Sequence, residues 1–387
     1  MGWSMPEIQT YRVHVPEEAL TDLQTRLKAT RWMDDIFAGD WQYGAPVPFV
    51  RALCDCWLND FSWRDIEVRL NREDHITTVI DGMTIHAMVR RSSRPDAVPL
   101  MMLHGWPSSF LEFMDLCEPL ANPPEGLPAF HVVTPSLPGY GFSTTRRGNT
   151  PSSVACVMHT LMQRLGYDRF MVQGGDWGSL IATEIARQHR DAVIGLHLNL
   201  VNGKLPDNWR EYGLTAEERE WVENLGAHTG YPHMILQGRC PASLAHAQND
   251  SPAGLAAWIG EKIHDWVDHE GLAEPYIPYR QLLPNIALYW FTQTAASSAL
   301  MYYDFAREPW SDSFVDVPTA AAIFPKEVAK MPRIFAEKLY DIAQWTVFPH
   351  GGHFPALEHP DWLVDDLRTF STRLTSDSGS PEGKVGL

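Results

Sequence analysis

Apolar residues recur along this chain in two rhythms, and the switches between them mark out its elements. Tyr11 to Val15 reads as a short strand. Pro16, Glu17 and Glu18 then suit a helix N-terminus, and Leu20, Leu23 and Leu27 form a stripe at helical spacing. Amphipathic helices are predicted over Val47 to Leu58 and Phe61 to Leu70. Ile76 to Ile80, the pair Asp81-Gly82 and Met83 to Val89 read as a hairpin, because Asp-Gly between β-rich runs favours a tight turn.

From about residue 96 short apolar runs alternate with helical stretches. The runs are Leu100 to Leu103, His131 to Thr134, Phe170 to Val172 and Val193 to Leu198. Between them, Val154, Val157, Met158, Leu161, Met162 and Leu165 share one helix face. Such alternation predicts an α/β fold with a mostly parallel sheet covered by helices on both faces. From Pro206 to Pro309 the pattern turns helical and rich in Trp and Tyr, as in Leu255 to Val267 and Ile286 to Phe291. The strand rhythm returns at Pro318 to Phe324 and Gln344 to Phe348. The predicted organisation is an N-terminal extension over 1–95, a core over 96–205 and 311–374, a helical lid over 206–310, and a disordered polar tail over 375–387.

Composition narrows the class. The chain has 387 residues, 44% of them hydrophobic and 20% charged, as in an ordinary globular protein. A formal charge of −17 disfavours nucleic acid and anionic membrane surfaces as partners. No run approaches the ~20 apolar residues of a membrane span. The N-terminus carries no apolar signal core, so a cytoplasmic location is expected. The 5 cysteines are odd in number and irregularly spaced, Cys54 and Cys56 match no common zinc or redox spacing, and the cysteines read as small buried residues. No metal site is expected. Oligomeric state stays open, a homodimer being one option.

Candidate chemistry begins at Gly174-Gly175-Asp176-Trp177-Gly178, between a strand run and a helical pattern. This is the context of a nucleophile elbow, with Asp where many hydrolases place Ser, and it points to the α/β-hydrolase fold. The five residues alone fit equally well an ordinary Gly-rich loop with an Asp N-cap. As a nucleophile, a carboxylate attacking saturated carbon leaves an ester that water can cleave, whereas Ser would leave an inert ether. Asp176 therefore predicts displacement at carbon, on an epoxide or an alkyl halide.

In this fold the base follows the last strand. His353 does so, after Gly351-Gly352, with His350 and His359 as neighbouring competitors. The acid that orients it should follow the preceding strand, which nominates Glu327, with Asp341 as fallback. His104-Gly105-Trp106-Pro107 follows a strand run and nominates the backbone N–H groups of Trp106 and Trp177 as an oxyanion hole. A cis Trp106–Pro107 bond would re-aim that N–H. Trp106, Trp177 and Phe354 are also the expected substrate contacts.

Over nearly its whole length the sequence resembles the microsomal-type epoxide hydrolases. The resemblance lies in Thr30-Arg-Trp32, Phe61-Ser-Trp-Arg64, the two motifs above, Pro135-Ser-Leu-Pro-Gly-Tyr-Gly-Phe-Ser143, Asn249-Asp-Ser-Pro252, Gly254-Leu-Ala-Ala-Trp258, Leu288-Tyr-Trp290, Val317-Pro-Thr319 and Gly351-Gly-His-Phe354. It implies an N-terminal extension before the core, no cofactor, and a small hydrophobic epoxide as substrate. It further implies two lid tyrosines that hydrogen-bond the epoxide oxygen. Tyr231 and Tyr302 match them, with Tyr303 as a one-residue alternative to Tyr302, while Tyr276, Tyr279 and Tyr289 are expected to pack the lid. The chain departs from the family pattern at Arg239-Cys240-Pro241 and at Ser108-Ser109. Natural substrate, selectivity and a role in detoxification or secondary metabolism stay open.

Two rivals follow from the same residues. A haloalkane or haloacid dehalogenase also uses an Asp elbow, but needs halide-binding Trp or Asn groups rather than paired phenols. A non-catalytic ligand-binding member of the fold would usually have lost Asp176, Glu327 or His353, and all three are present.

Overall fold

The computed structural model describes residues 8–228, 231–269, 277–308 and 311–377. Helices α1 (Glu17–Lys28), α2 (Val47–Asn59) and α3 (Trp63–Leu70) come first, preceded by strand β1 (Gln9–Tyr11). Their apolar stripes bury Leu23 and Leu27 on α1, Leu53 and Trp57 on α2, and Leu70 on α3. The side chain of Ser62 caps α3 by accepting from the Asp65 N–H.

The sheet has nine strands in the order β1-β2-β3-β5-β4-β6-β7-β8-β9. Strands β2 (Asp74–Ile80) and β3 (Met83–Arg90) form the expected hairpin, with Asp81 and Gly82 both at positive φ. Strands β4 (Val98–Leu103), β5 (Phe130–Pro135), β6 (Phe170–Gly174), β7 (Val193–Leu198), β8 (Val315–Ile323) and β9 (Tyr340–Val347) run parallel to one another. Leu100 to Leu103 are wholly buried, as a strand covered on both faces requires. Helices α4 (Met114–Ala121), α5 (Pro151–Arg164) and α6 (Asp176–Gln188) fill the first crossovers.

The connection from β7 to β8 holds α7 (Ala216–His228), α8 (Pro232–Arg239), α9 (Pro241–Asp250), α10 (Pro252–Trp266), α11 (Tyr279–Thr292) and α12 (Ala295–Phe305), with no strand among its described residues. Three further helices, α13 (Arg333–Ala336), α14 (Pro355–Glu358) and α15 (Pro360–Asp377), complete the chain. No helix among the described residues is long and apolar enough to cross a membrane.

Two expectations need correction. The first strand ends at Tyr11, not Val15. Beyond it, the Val13 N–H donates to Asn71 Oδ1 at 3.0 Å and the Val15 N–H to Glu67 Oε1 at 2.6 Å. Side chains of α3 and of its C-cap, Asn71, thus take the place of a strand ladder. The final helix also runs on to Asp377, past the predicted start of the tail at Thr375. The rest of the tail, and Tyr276, lie outside the described residues.

Candidate active site

Because β4, β6, β8 and β9 run parallel, the loops after them meet at one edge of the sheet. Those loops carry Trp106, Asp176, Glu327 and His353 respectively.

Asp176 opens α6 at φ +49°, a strained value for a residue with a side chain. Close approach dictates the glycines around it. A Cβ on Gly178 would stand 1.9 Å from the carbonyl oxygen of Leu103, and one on Gly105 would stand 2.1 Å from Asp176 Oδ1. The turn is held from below by Ser179, whose hydroxyl donates to the Asp176 carbonyl at 2.6 Å.

The Trp106 N–H donates to Asp176 Oδ1 at 2.8 Å, and the Trp177 N–H also hydrogen-bonds the carboxylate. The Trp106–Pro107 peptide is cis. Buried His104 braces this loop. Burial lowers its pKa to about 4, so the ring is neutral; Nε2 accepts from the Leu137 N–H at 3.2 Å, which leaves Nδ1 to donate to the Gly105 carbonyl at 3.1 Å. From α11, the Asn285 amide donates to the Pro107 carbonyl at 2.7 Å and the Tyr289 hydroxyl to the Ser108 carbonyl at 2.9 Å. Tyr279 packs edge-on against Phe49.

His353 Nε2 lies 3.3 Å from Asp176 Oδ2, and Nδ1 lies 2.6 Å from Glu327 Oε1. Burial works against a charged His353, but the Glu327 charge and the hydrogen bonds to both carboxylates outweigh it and hold the pKa well above the usual range. Burial likewise works against the Asp176 carboxylate, and His353 with the two N–H donors overcomes it, leaving its pKa lowered. Asp341 sits on β9 and His359 stacks on Trp362, so neither fallback occupies this cluster.

Tyr302 on α12 is buried, with its ring 4.7 Å from Trp177 and 5.9 Å from Trp106, edge-on to both. Burial and the charge of Asp176 raise its pKa well above the ordinary phenol range, so it remains a neutral donor. Tyr303 faces elsewhere, with the Arg307 guanidinium 3.4 Å over its ring. Tyr231 is half-buried at the start of α8, its ring 5.9 Å from His233. From α8 it is His233 whose ring packs against Trp106 and Tyr302. Phe354 is buried beside His353 and Trp266.

Beside Asp176 lies a cavity of about 10 Å³, lined by Ser108, Glu112, Gln173, Asp176, Asn199 and His353 among others. That is space for about one water. Burial pushes the Glu112 carboxyl up to about 8.

Sequence alone missed the supports of the His353 loop. Glu358 accepts from the Gly352 N–H at 2.9 Å, the Phe354 N–H at 3.0 Å and the Asp268 N–H at 2.8 Å. Asp268 in turn accepts from the Gly351 N–H at 2.9 Å. These are carboxylates meeting backbone far off in the chain, and no local spacing signals them.

Residues 8–113 match the family described as the epoxide hydrolase N terminus, and residues 98–222 match the alpha/beta hydrolase fold. Epoxide hydrolase 1 of Oryctolagus cuniculus is 32% identical over 410 residues, covering 96% of this chain and 90% of that protein. The chain belongs to the epoxide hydrolase family. A relative from Stigmatella aurantiaca, named provisionally as an epoxide hydrolase, is 38% identical over 93% of this chain and 84% of its own length. Among solved structures, the Aspergillus niger epoxide hydrolase superposes with a TM-score of 0.85 at 31% identity, covering 95% of this chain and 97% of that one. The juvenile hormone epoxide hydrolase of the silkworm Bombyx mori superposes with a TM-score of 0.89 at 27% identity, covering 97% and 96%. The chain therefore has the α/β-hydrolase fold in its core, and it is a hydrolase.

Proposed function

We propose that this epoxide hydrolase converts a small hydrophobic epoxide and water to a vicinal diol through an ester on Asp176. The observation that carries the reading is the carboxylate of Asp176. One oxygen is held by the Trp106 N–H at 2.8 Å and the other faces His353 Nε2 at 3.3 Å. Oδ2 attacks a ring carbon in line, the C–O bond of the epoxide breaks, and the Tyr302 phenol gives its proton to the departing oxygen.

The ester then has its carbonyl oxygen on the Trp106 and Trp177 N–H groups, where a tetrahedral oxyanion would be stabilised by several kcal/mol. Alkylation also changes His353. Its raised pKa depends partly on the Asp176 charge, and ester formation removes that charge. The imidazole thus becomes an available base after the nucleophile has been spent. It deprotonates a water that attacks the ester carbonyl, and Glu327 holds the ring and offsets the imidazolium charge. The two protons of that water end on the diol and on Tyr302, and Asp176 is restored with one oxygen from water.

A panel of racemic epoxides, assayed for diol with the wild type and with Asp176→Ala, tests the reading. Diol from at least one epoxide, abolished by Asp176→Ala, is expected. Halide release from chloroalkanes with no diol from any epoxide would favour the dehalogenase reading.

A further inference from the structure

We propose that the indole N–H of Trp177 donates to the phenol oxygen of Tyr302, aiming the phenol's proton at the epoxide oxygen and steadying the phenolate left behind. Trp177 is then a positioning residue that acts through Tyr302. The inference rests on the ester mechanism above and deepens it.

The chemistry creates the need. Tyr302 parts with its proton in a buried site, where both burial and the Asp176 charge oppose a phenolate. A donor on the phenol oxygen offsets that opposition, and it grows stronger as the oxygen gains charge. It also occupies one acceptor position of the oxygen, so the single hydroxyl proton turns away from the donor.

Trp177 is placed for this task. It is 5% exposed, and its Nε1 is buried and reaches full hydrogen-bond geometry with no acceptor among the described residues. A buried N–H left unmet is costly and calls for a partner. Tyr302 is that partner. The two rings stand edge to face, 4.7 Å apart at 85°, and a hydrogen bond from the Trp177 side chain works against burial to lower the phenol's pKa. The pair is poised in the free enzyme and tightens as charge builds on the phenol, as catalytic hydrogen bonds commonly do.

Both partners are held in register. Trp177 belongs to the elbow, whose carbonyl at Asp176 is fixed by the Ser179 hydroxyl at 2.6 Å. Helix α12 is fastened near both ends. The Ser297 hydroxyl donates to the Gly139 carbonyl at 2.7 Å, and the Gly148 and Asn149 N–H groups donate to Asp304 at 2.9 and 3.1 Å. Phe305, three residues beyond Tyr302, also packs edge-on against the indole at 5.3 Å.

The step balances without a further reactant. The Asp176–carbon bond forms, the epoxide C–O bond breaks, and the Tyr302 proton moves to the departing oxygen. The electron pair stays on the phenolate, and Trp177 keeps its own proton throughout. The phenolate regains a proton from the water that cleaves the ester.

The test is a double-mutant cycle of wild type, Trp177→Phe, Tyr302→Phe and the double variant in single turnovers with styrene oxide. Rapid quench and intact-mass detection give the rate constants for adduct formation and decay. Trp177→Phe keeps an aromatic ring but has no N–H, and alkylation should slow by about 10- to 100-fold. Ester decay should stay within about 3-fold, because the backbone N–H at 177 is untouched. In the Tyr302→Phe background no phenol oxygen is left to receive the bond, so adding Trp177→Phe should change alkylation by less than about 3-fold.

A loss of similar size in both backgrounds, equal slowing of formation and decay, or no loss at all would overturn the assignment and leave Trp177 a packing ring. If Trp177→Phe does not fold, benzothienylalanine at position 177 keeps the indole shape with sulfur in place of the N–H, and the same three readouts decide. Alkylation in Tyr302→Phe as fast as in wild type sinks Tyr302 as proton donor and this inference with it. No adduct in wild type with an epoxide that it turns over sinks the ester reading instead.

Discussion

The backbone N–H of His353 donates to the carbonyl of Trp266 over 2.8 Å. Trp266 is the last residue of α10, so the loop that carries His353 is tied straight to the helices inserted between β7 and β8. Asp268 and Glu358 extend the tie by accepting the N–H groups of Gly351, Gly352 and Phe354. The imidazole is therefore positioned by backbone on one side and by Glu327 on the other.

Glu358→Ala leaves three backbone N–H groups without their carboxylate. Each buried donor left unmet costs about 1–3 kcal/mol. We expect a lowered melting temperature, and kcat reduced by about 10- to 100-fold with KM little changed, since the base loses its orientation. Steady-state kinetics beside thermal melts check this. An unchanged kcat would show that the loop needs no such clamp.

His353→Gln and Glu327→Gln should separate the two chemical steps. With His353→Gln, Asp176 should still be alkylated and the adduct should accumulate, visible by intact-mass spectrometry. With Glu327→Gln, alkylation should persist while ester hydrolysis slows by about 10²- to 10⁴-fold. An adduct that never appears in either variant would count against the assigned order of events.

The pH dependence of hydrolysis has a definite sign. In the proposed mechanism His353 must be neutral to take a proton from water, and Glu327 raises its pKa. The rate constant for ester hydrolysis should therefore rise with pH through the His353 pKa. Removing the Glu327 charge should move that limb to lower pH, alongside the fall in rate. A limb that stays put, or moves upward, would contradict the role given to Glu327.

Glu112 predicts a second, separate pH effect, on stability. Its folded pKa of about 8 stands above the ordinary 4.5. Between those values the folded state holds a proton that the unfolded chain has lost, so stability falls as pH rises and levels off above about 8. Glu112→Gln lacks this slope. The melting temperature of Glu112→Gln minus that of wild type should grow between pH 5 and pH 8; a flat difference would refute the shift.

Much of this was legible in the sequence because the constraints are local. A Gly-Gly-Asp-Trp-Gly turn after a strand run announces a backbone with no room for side chains, and the 1.9 Å approach at Gly178 is the reason. Asp81-Gly82 announces the hairpin for a different reason, since the tight turn puts both residues at positive φ. Glu327 and His353 were legible from their order after successive strands, since parallel strands deliver their loops to one edge. What stayed hidden depends on contacts between distant segments. Glu67 and Asn71 displace the expected strand at Val13 and Val15 by offering acceptors of their own. The packing of His233 against Trp106 and Tyr302 is likewise a contact between distant segments that no local spacing signals.

The ester on Asp176 is tested most directly by one turnover in ¹⁸O-labelled water with enzyme in excess over epoxide. The first diol released should carry unlabelled oxygen, and the peptide containing Asp176 should gain one ¹⁸O. Label found in the first diol, with none in that peptide, would contradict the account.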